Sequence, residues 1–357
     1  MTKYAMMVYP AANRVYAEAS VTLLVSELRV FDDRVFDGKL GDIERTEIGG
    51  VPYITFTAPG LTDHEIELLS NLSTLYALFI IEEAGSEEDG SESDTEDGLL
   101  RPVRIRRLDV FDSDLLTIQK YAGKTNELFT KMLLNVTVLA TDSPGDLVGR
   151  RLRVLDPMCG RGTTLNQAMM YGFDAAGLDV DGKDFDEYSL FIRTWLKNKR
   201  IKHKAEVSPI RREHRHFGRR LDISVGTSKE SYKAGDSLKL TFVNGDTLDA
   251  DRFFRAGSFD VVVTDAPYGV QHGARRERFS RNPGGLLAEA LPGWVSLLRP
   301  GGALGVSWNN RVLDREDLAD MVADVGLTVL DSDPYLGFVH RVDQAIVRDL
   351  LVAQKPA

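Results

Sequence analysis

Apolar positions follow two regimes along the chain. Over residues 1–81, short extended runs alternate with stretches of helical spacing. Tyr4 to Tyr9 reads as a strand, and Val15, Ala19, Leu23 and Val30 recur at helical intervals over Asn13 to Phe31. Two extended runs within Ile43 to Thr57 meet at Gly49-Gly50, which is a hairpin signal. Thr62 is placed to cap a helix carrying Ile66, Leu68, Leu69 and Leu72, and Tyr76 to Ile81 is a continuous apolar run. The order β-α-β-β-α-β predicts a small α+β domain of ferredoxin-like arrangement. Substrate docking is the role expected of it.

The second regime begins beyond residue 112. A helix capped at Thr125 or Asn126 is expected first, carrying Leu128, Met132, Leu133, Val136 and Leu139. From Arg153, apolar strands alternate with helical segments, which predicts a mainly parallel α/β sheet of Rossmann-like type, with helices on both faces. Strands are expected at 153–155, 175–178, 238–243, 259–264 and 303–307. Two late strands near 327–330 and 344–351 suit a sheet with a reversed edge strand. At 357 residues, two domains are the natural division: residues 1–81, and residues 113–357.

Charge separates the two. Nine of the sixteen residues from Glu82 to Asp97 are acidic, and a run that self-repels and cannot bury apolar surface is expected to be a surface loop. The basic stretch from Arg101 to Arg107 follows, so 82–112 reads as an acidic loop and a basic linker strand. The formal net charge of −10 argues against a uniformly basic nucleic-acid binder. One cysteine, Cys159, excludes an internal disulfide and points to a reducing, cytoplasmic setting. The six histidines are too scattered for a Cys/His metal site, so no metal is expected. No apolar run is long enough to cross a membrane, and no signal peptide is expected.

The chemistry gathers at the strand ends. Gly160 and Gly162 follow Asp156-Pro157-Met158-Cys159 and precede a helix starting near Thr163. Glycines let backbone approach a ligand closely, and the helix start offers unpaired N–H groups. Asp179 closes the second strand about 20 residues on, where an acid reaches ribose hydroxyls. Asp246-Thr247 follows the third strand and is placed for an adenine amine, and Asp265 ends the fourth. One acid at a strand end is unremarkable, whereas four at successive ends, where such sheets bind ligands, form a constellation. The turn at Thr125-Asn126 is placed near the methionine end of such a cofactor.

These residues carry a resemblance. Asp156-Pro157-Met158-Cys159-Gly160-Arg161-Gly162-Thr163 resembles the D-P-x-C-G-[ST]-G-T motif of S-adenosylmethionine-dependent methyltransferases that modify guanine N2 in RNA, the THUMP-associated tRNA methyltransferases above all. Thr264-Asp265-Ala266-Pro267-Tyr268-Gly269 resembles their T-D-P-P-Y-G motif. The resemblance covers about residues 113–357 and does not extend to a THUMP domain. It implies a class I methyltransferase domain and S-adenosylmethionine, held by Thr125, Asn126, Asp156, Pro157, Cys159, Gly160, Gly162, Thr163, Asp179, Asp246, Thr247 and Asp265. It also implies a catalytic segment Asp265, Ala266, Pro267 and Tyr268. There the Asp265 carboxylate and the Ala266 carbonyl accept the two N–H bonds of an exocyclic amine, and Tyr268 stacks on the base. Arg161 and Ala266 depart from the motifs.

A basic insertion, residues 183–236, interrupts this domain. Arg193 to Arg220 holds eleven Lys or Arg against two acids. With Phe191, Trp195 and Phe217 interleaved, it suits phosphate contacts and base stacking. Lys197, Lys199, Arg200, Lys202, Arg211 and Arg212, together with Arg275 and Arg276 after the Tyr268 motif, are therefore expected to bind substrate. The function expected is methylation of an exocyclic amine in structured RNA, guanine N2 of tRNA first. Adenine N6 methylation of DNA or RNA, glutamine methylation of a protein, and a silent RNA-binding relative are the alternatives.

Overall fold

Tyr4, Met6 and Val8 turn inward along β1 (Thr2–Val8), where every second side chain shares a face. The computed structural model describes residues 1–9, 14–82, 98–121, 123–212, 215–268 and 283–357, the side chains at 14–18, 212, 215 and 216 excepted. β2 (Gly41–Ile48) and β3 (Val51–Ala58) form the expected hairpin, with Gly49 at φ 58° and Gly50 at φ 76° supplying the left-handed turn. β4 (Leu75–Glu82) pairs antiparallel with β1 on the side away from β3. Met6 aligns with Ile54 and Leu78 across the three central strands. This face shares a buried cluster with Leu24 and Leu28 of the helix Arg14–Val35 and Leu68 and Leu69 of the helix Asp63–Leu69. Thr62 and Glu65 cap the second helix reciprocally. The strand order β2-β3-β1-β4 is that of the expected ferredoxin-like arrangement.

The linker strand belongs to this sheet. β5 (Leu99–Val103) pairs antiparallel with β4 at its edge. The acidic residues 83–97 lie outside the described residues.

The second sheet comprises β6 (Arg153–Asp156), β7 (Asp174–Asp179), β8 (His203–Arg212), β9 (Arg215–Val225), β10 (Leu238–Asn244), β11 (Phe259–Asp265), β12 (Leu298–Asn309), β13 (Thr328–Leu330), β14 (His340–Arg341) and β15 (Val347–Gln354). Its order is β13-β15-β12-β11-β6-β7-β10-β9-β8, with β14 on β15. β10, β7, β6, β11 and β12 are parallel, and β15 runs antiparallel between β12 and β13. The run Asp260-Val261-Val262-Val263-Thr264 is buried throughout, as a central strand covered on both faces requires. The chain leaves β6 toward β7 and β10, then returns to the other side for β11 and β12. The strand order therefore reverses between β6 and β11, where a crevice opens at the carboxyl ends.

Residues 193–220 divide between two elements. Arg193 to Asn198 complete the helix Gly182–Asn198, which carries the chain back from the end of β7. His203 then pairs with Val225, and Val225 with Leu238 at the start of β10. Lys197, Lys199, Arg200 and Lys202 thus sit at the amino ends of the strands, opposite the crevice. Lys199 is ion-paired there with Asp112 at 2.7 Å and Asp114 at 2.6 Å. Trp195 is buried, its indole N–H donating to Asp114 at 2.9 Å, so it is core and not a stacking platform. The remainder of the stretch is the hairpin β8–β9, which extends the sheet beyond β10.

The two sheets share one buried cluster, and the second sheet packs a further cluster of its own. The helix Arg14–Val35 lies against the helix Glu127–Leu139, which covers β11 and β12. At their junction the fully buried carboxylate of Glu27 accepts the Ser73 backbone N–H at 3.0 Å and the Asn135 side-chain amide at 2.7 Å. Burial pushes the Glu27 carboxyl above its ordinary range, against the opposing effect of these donors. Among the described residues no helix is long and apolar enough to cross a membrane.

Candidate active site

The cradle is built from two left-handed glycines. Gly160 has φ 50° and Gly162 has φ 77°, which a side chain rarely tolerates. A Cβ on Gly162 would collide with the ring of Tyr188, whereas one on Gly160 would enter open space. The peptide at Gly160 is thus bare toward the crevice. Its N–H donates to Asp179 Oδ2 at 2.8 Å, and the Asp181 N–H donates to Oδ1 at 2.8 Å. Asn244 holds the end of β7 through the carbonyls of Asp179 and Val180, at 3.0 and 3.1 Å. Asp246 is partly exposed and accepts the Leu248 N–H at 3.0 Å.

Several expected cofactor residues are engaged with the protein frame. Asp156 is buried and turned inward. Its carboxylate accepts the Thr264 hydroxyl at 2.9 Å and the Met158 N–H at 3.1 Å. Burial is the largest influence on it and pushes its carboxyl up to about 7, with the nearby Asp179 charge adding to the rise. Asn126 accepts the N–H groups of Leu128 and Phe129 as the helix cap. Pro157 and Cys159 are buried, shaping the turn from beneath, and burial pushes the Cys159 thiol well up. Thr247 is buried, its hydroxyl accepting the Trp294 indole N–H at 3.0 Å. Thr163 meets the Tyr121 hydroxyl at 3.3 Å.

Arg161 now has an account. Its guanidinium donates to Asp184 at 2.9 Å, pairs with Glu187, and lies 4.6 Å over the Tyr121 ring. It thereby ties the cradle to the helix Gly182–Asn198 and to the segment before the helix Glu127–Leu139.

Facing the cradle, Asp265 ends β11. The hydroxyl of Thr264 on Asp156 joins β11 to β6 and sets the next residue beside the cradle. Four groups converge on the Asp265 carboxylate. Thr125 donates to Oδ2 at 2.5 Å and Ser307 to Oδ1 at 2.7 Å. Tyr268 reaches Oδ1 at 2.7 Å and Oδ2 at 2.5 Å, and Arg348 Nη2 lies 3.7 Å from Oδ2. The Ala266 N–H donates to the Ser307 carbonyl at 2.8 Å, fixing the Asp265–Ala266 peptide.

Sequence reasoning missed Ser307 and Arg348. Ser307 aligns with Asp265 across β11 and β12, so the strand-end rule applied to β12 finds it. Arg348 and Asp349 are adjacent charges inside the apolar strand β15, and both are buried. Two charges in such a run signal paired, functional positions. Arg348 stacks 4.3 Å over Phe129, and Asp349 accepts from Arg315 at 2.8 Å. Of the other basic candidates, Arg211 is exposed at the outer end of β8, on the crevice side of the sheet. The Arg212 side chain, Arg275 and Arg276 lie outside the described residues.

Residues 148–281 match the family UPF0020, described as RMKL-like, methyltransferase domain. This stretch is similar to an RMKL-like methyltransferase domain. It contains the cradle and Asp265. Over 134 residues the chain is 32% identical to the ribosomal RNA large subunit methyltransferase K/L of Photobacterium profundum, covering 36% of this chain and 18% of that protein. The chain thus spans about a fifth of the curated relative it matches. Among solved structures, TrmN from Thermus thermophilus is 12% identical with a TM-score of 0.42, covering 99% of this chain and 100% of that one. A TehB-like SAM-dependent methyltransferase from Corynebacterium glutamicum is 15% identical with a TM-score of 0.33, covering 59% and 84%. At such scores these are distant likenesses, and the architecture rests on the chain's own strands.

Proposed function

We propose that the protein is an S-adenosylmethionine-dependent methyltransferase acting on an exocyclic amino group of a base in RNA, guanine N2 of tRNA being the reading that its motifs support. The observation that carries this is the juxtaposition of the Gly160–Gly162 cradle with Asp265 across the switch point, fastened by the Thr264–Asp156 bond. The residues fit the cofactor: bare backbone at Gly160, a ribose-length acid at Asp179, and a partly exposed Asp246 at the next strand end. The RNA methyltransferase relative supports the substrate class.

Bound in the cradle, the cofactor supplies an electrophilic methyl group on a sulfonium. An exocyclic amine is a poor nucleophile because its lone pair is delocalised into the ring. Asp265 and the Ala266 carbonyl accept its two N–H bonds, which localises the lone pair and aims it at the methyl. Replacing the motif's proline by Ala266 keeps that carbonyl, and Pro267 confines Ala266 to extended backbone. The Ala266 N–H on Ser307 adds the rigidity that the proline would have given. Positioning and charge placement provide most of the acceleration. The proton released after transfer goes to Asp265 or water. The paired state of Arg161 supports an active enzyme over a silent relative, since that departure leaves the cradle glycines intact.

The test is to incubate the protein with labelled cofactor and bulk tRNA, rRNA or DNA, followed by nucleoside analysis. Label in N2-methylguanosine of tRNA is expected. Label in N6-methyladenine would replace the guanine reading, and cofactor binding without label in any nucleic acid would overturn the enzyme reading.

A further inference from the structure

Three hydroxyls already crowd the Asp265 carboxylate. A carboxylate offers about four lone-pair positions. Thr125, Ser307 and Tyr268 occupy both oxygens, with Arg348 close by. An amine that donates to this carboxylate competes with them for its lone pairs, and with Tyr268 first, because that hydroxyl spans both oxygens. Ser307 is fixed on β12, hydrogen-bonded between β11 and β15. Thr125 is fixed by its neighbour Asn126, the cap of the next helix. Tyr268 has one hydroxyl proton but lies within bonding distance of both oxygens. Its departure breaks one hydrogen bond and opens a place on each oxygen.

Arg348 governs that departure. It comes from β15, 80 positions along the chain, and its Nη2 donates to the Tyr268 hydroxyl. Its guanidinium lies 4.3 Å from the Phe129 ring centroid and 5.1 Å from that of Tyr268. A cation donating to a phenol oxygen strengthens the phenol's own donation to a carboxylate. The same cation attracts the ring face after the hydroxyl has left.

We propose that Arg348 is a positioning residue that latches the Tyr268 hydroxyl onto Asp265 in the free protein. The acceptor amine binds by displacing that hydroxyl, while the ring stays against the guanidinium and turns toward the base. This rests on the reading of Asp265 as the amine acceptor. Burial and the Asp265 charge push the Tyr268 hydroxyl well above its ordinary range, so it remains a neutral donor.

Steady-state transfer to RNA in Tyr268→Phe, Arg348→Lys and Arg348→Met tests the latch. Tyr268→Phe lowers the KM for RNA about two- to tenfold, the worth of one net hydrogen bond, while the cofactor KM does not fall. Arg348→Met lowers the RNA KM likewise. Arg348→Lys, which keeps a donor but no planar face, holds the RNA KM and lowers kcat. A raised RNA KM in Tyr268→Phe, or identical behaviour of the two Arg348 variants, overturns the proposal. The unliganded protein gives a second readout through its 13C-labelled tyrosines. The Tyr268 resonance, identified by its loss in Tyr268→Phe, shifts in Arg348→Met and less in Arg348→Lys. An unmoved resonance overturns the latch even if no RNA accepts a methyl group, an outcome that by itself would overturn only the substrate reading. If Arg348→Met fails to fold, the other two variants still decide.

Discussion

Thr125 donates its hydroxyl to Asp265 Oδ2 at 2.5 Å, fastening the turn before the helix Glu127–Leu139 to the end of β11. The bond orients the carboxylate without depending on the bound cofactor. Thr125→Val keeps the shape and removes the donor. We expect kcat to fall about tenfold, the worth of one hydrogen bond to a charged group, with a smaller change in cofactor Kd. Asp265→Ala should abolish transfer and leave cofactor binding in place. Steady-state kinetics with calorimetric titration of the cofactor separates the two. A Thr125→Val variant losing only cofactor affinity would reassign Thr125 to the cofactor.

Stability should carry the signature of Asp156. Its carboxyl rises from 3.8 to about 7 on burial, so between those values the folded state holds a proton that the unfolded state releases. That contribution is full below the unfolded value and is lost as pH rises through about 7. Asp156→Asn, which cannot ionise, should therefore gain on the native protein by about 1–3 kcal/mol between pH 5 and pH 8. His340 acts at the other end. Burial depresses it to about 4, so its contribution is present above its ordinary 6.5 and is lost as pH falls toward 4. Denaturant melts across this range, with and without Asp156→Asn, measure the first effect directly. Parallel curves would exclude it.

Arg161 should matter for binding more than for chemistry. Arg161→Ala frees the cradle from Asp184 and Glu187 and from the Tyr121 ring. A partly exposed ion-pair cluster with a cation–π contact is worth about 1 kcal/mol, so cofactor Kd should rise about fivefold with the fold intact. Isothermal titration gives the Kd, and a change confined to kcat would contradict this account.

At Glu27 two substitutions should diverge. Glu27→Ala leaves the Ser73 N–H unmet in a buried place and the Asn135 amide with the Asn71 carbonyl alone, a loss of about 3 kcal/mol. Glu27→Gln keeps an acceptor and lowers the desolvation cost, so it should lose less than half of that. Chemical denaturation midpoints compare them. Equal losses would mean that the carboxylate charge, not its acceptor geometry, holds the junction.

The sequence made the skeleton of this site legible because strand ends are marked by local chemistry. Gly160, Gly162, Asp179 and Asp265 each stand where an apolar run stops, and the parallel sheet follows from those runs. Thr62 declared its helix through Glu65 in the same way. The partners of Asp265 were not legible, because Ser307 and Arg348 reach it through sheet pairing across long sequence separations. Asp156 shows a different limit: its place at a strand end suggested a ligand, yet whether a carboxylate faces the crevice or Thr264 is decided by packing. The placement of the basic stretch was not legible for a related reason. Charge density records composition, while the helix Gly182–Asn198 returns Lys197 and Lys199 to the far end of the sheet, where Asp112 and Asp114 meet Lys199.

The shared core has a consequence for how the chain can be taken apart. One buried cluster includes Leu24 and Phe31 from the helix Arg14–Val35 as well as Leu133 and Val136 from the helix that covers β11 and β12. A fragment starting at residue 113 would expose that apolar wall and strand the Asn135 amide in water without Glu27. The two sheets are expected to melt in one cooperative transition. Damage in the first sheet would then silence a crevice that it never touches, and a loss-of-activity screen would return substitutions scattered through both sheets.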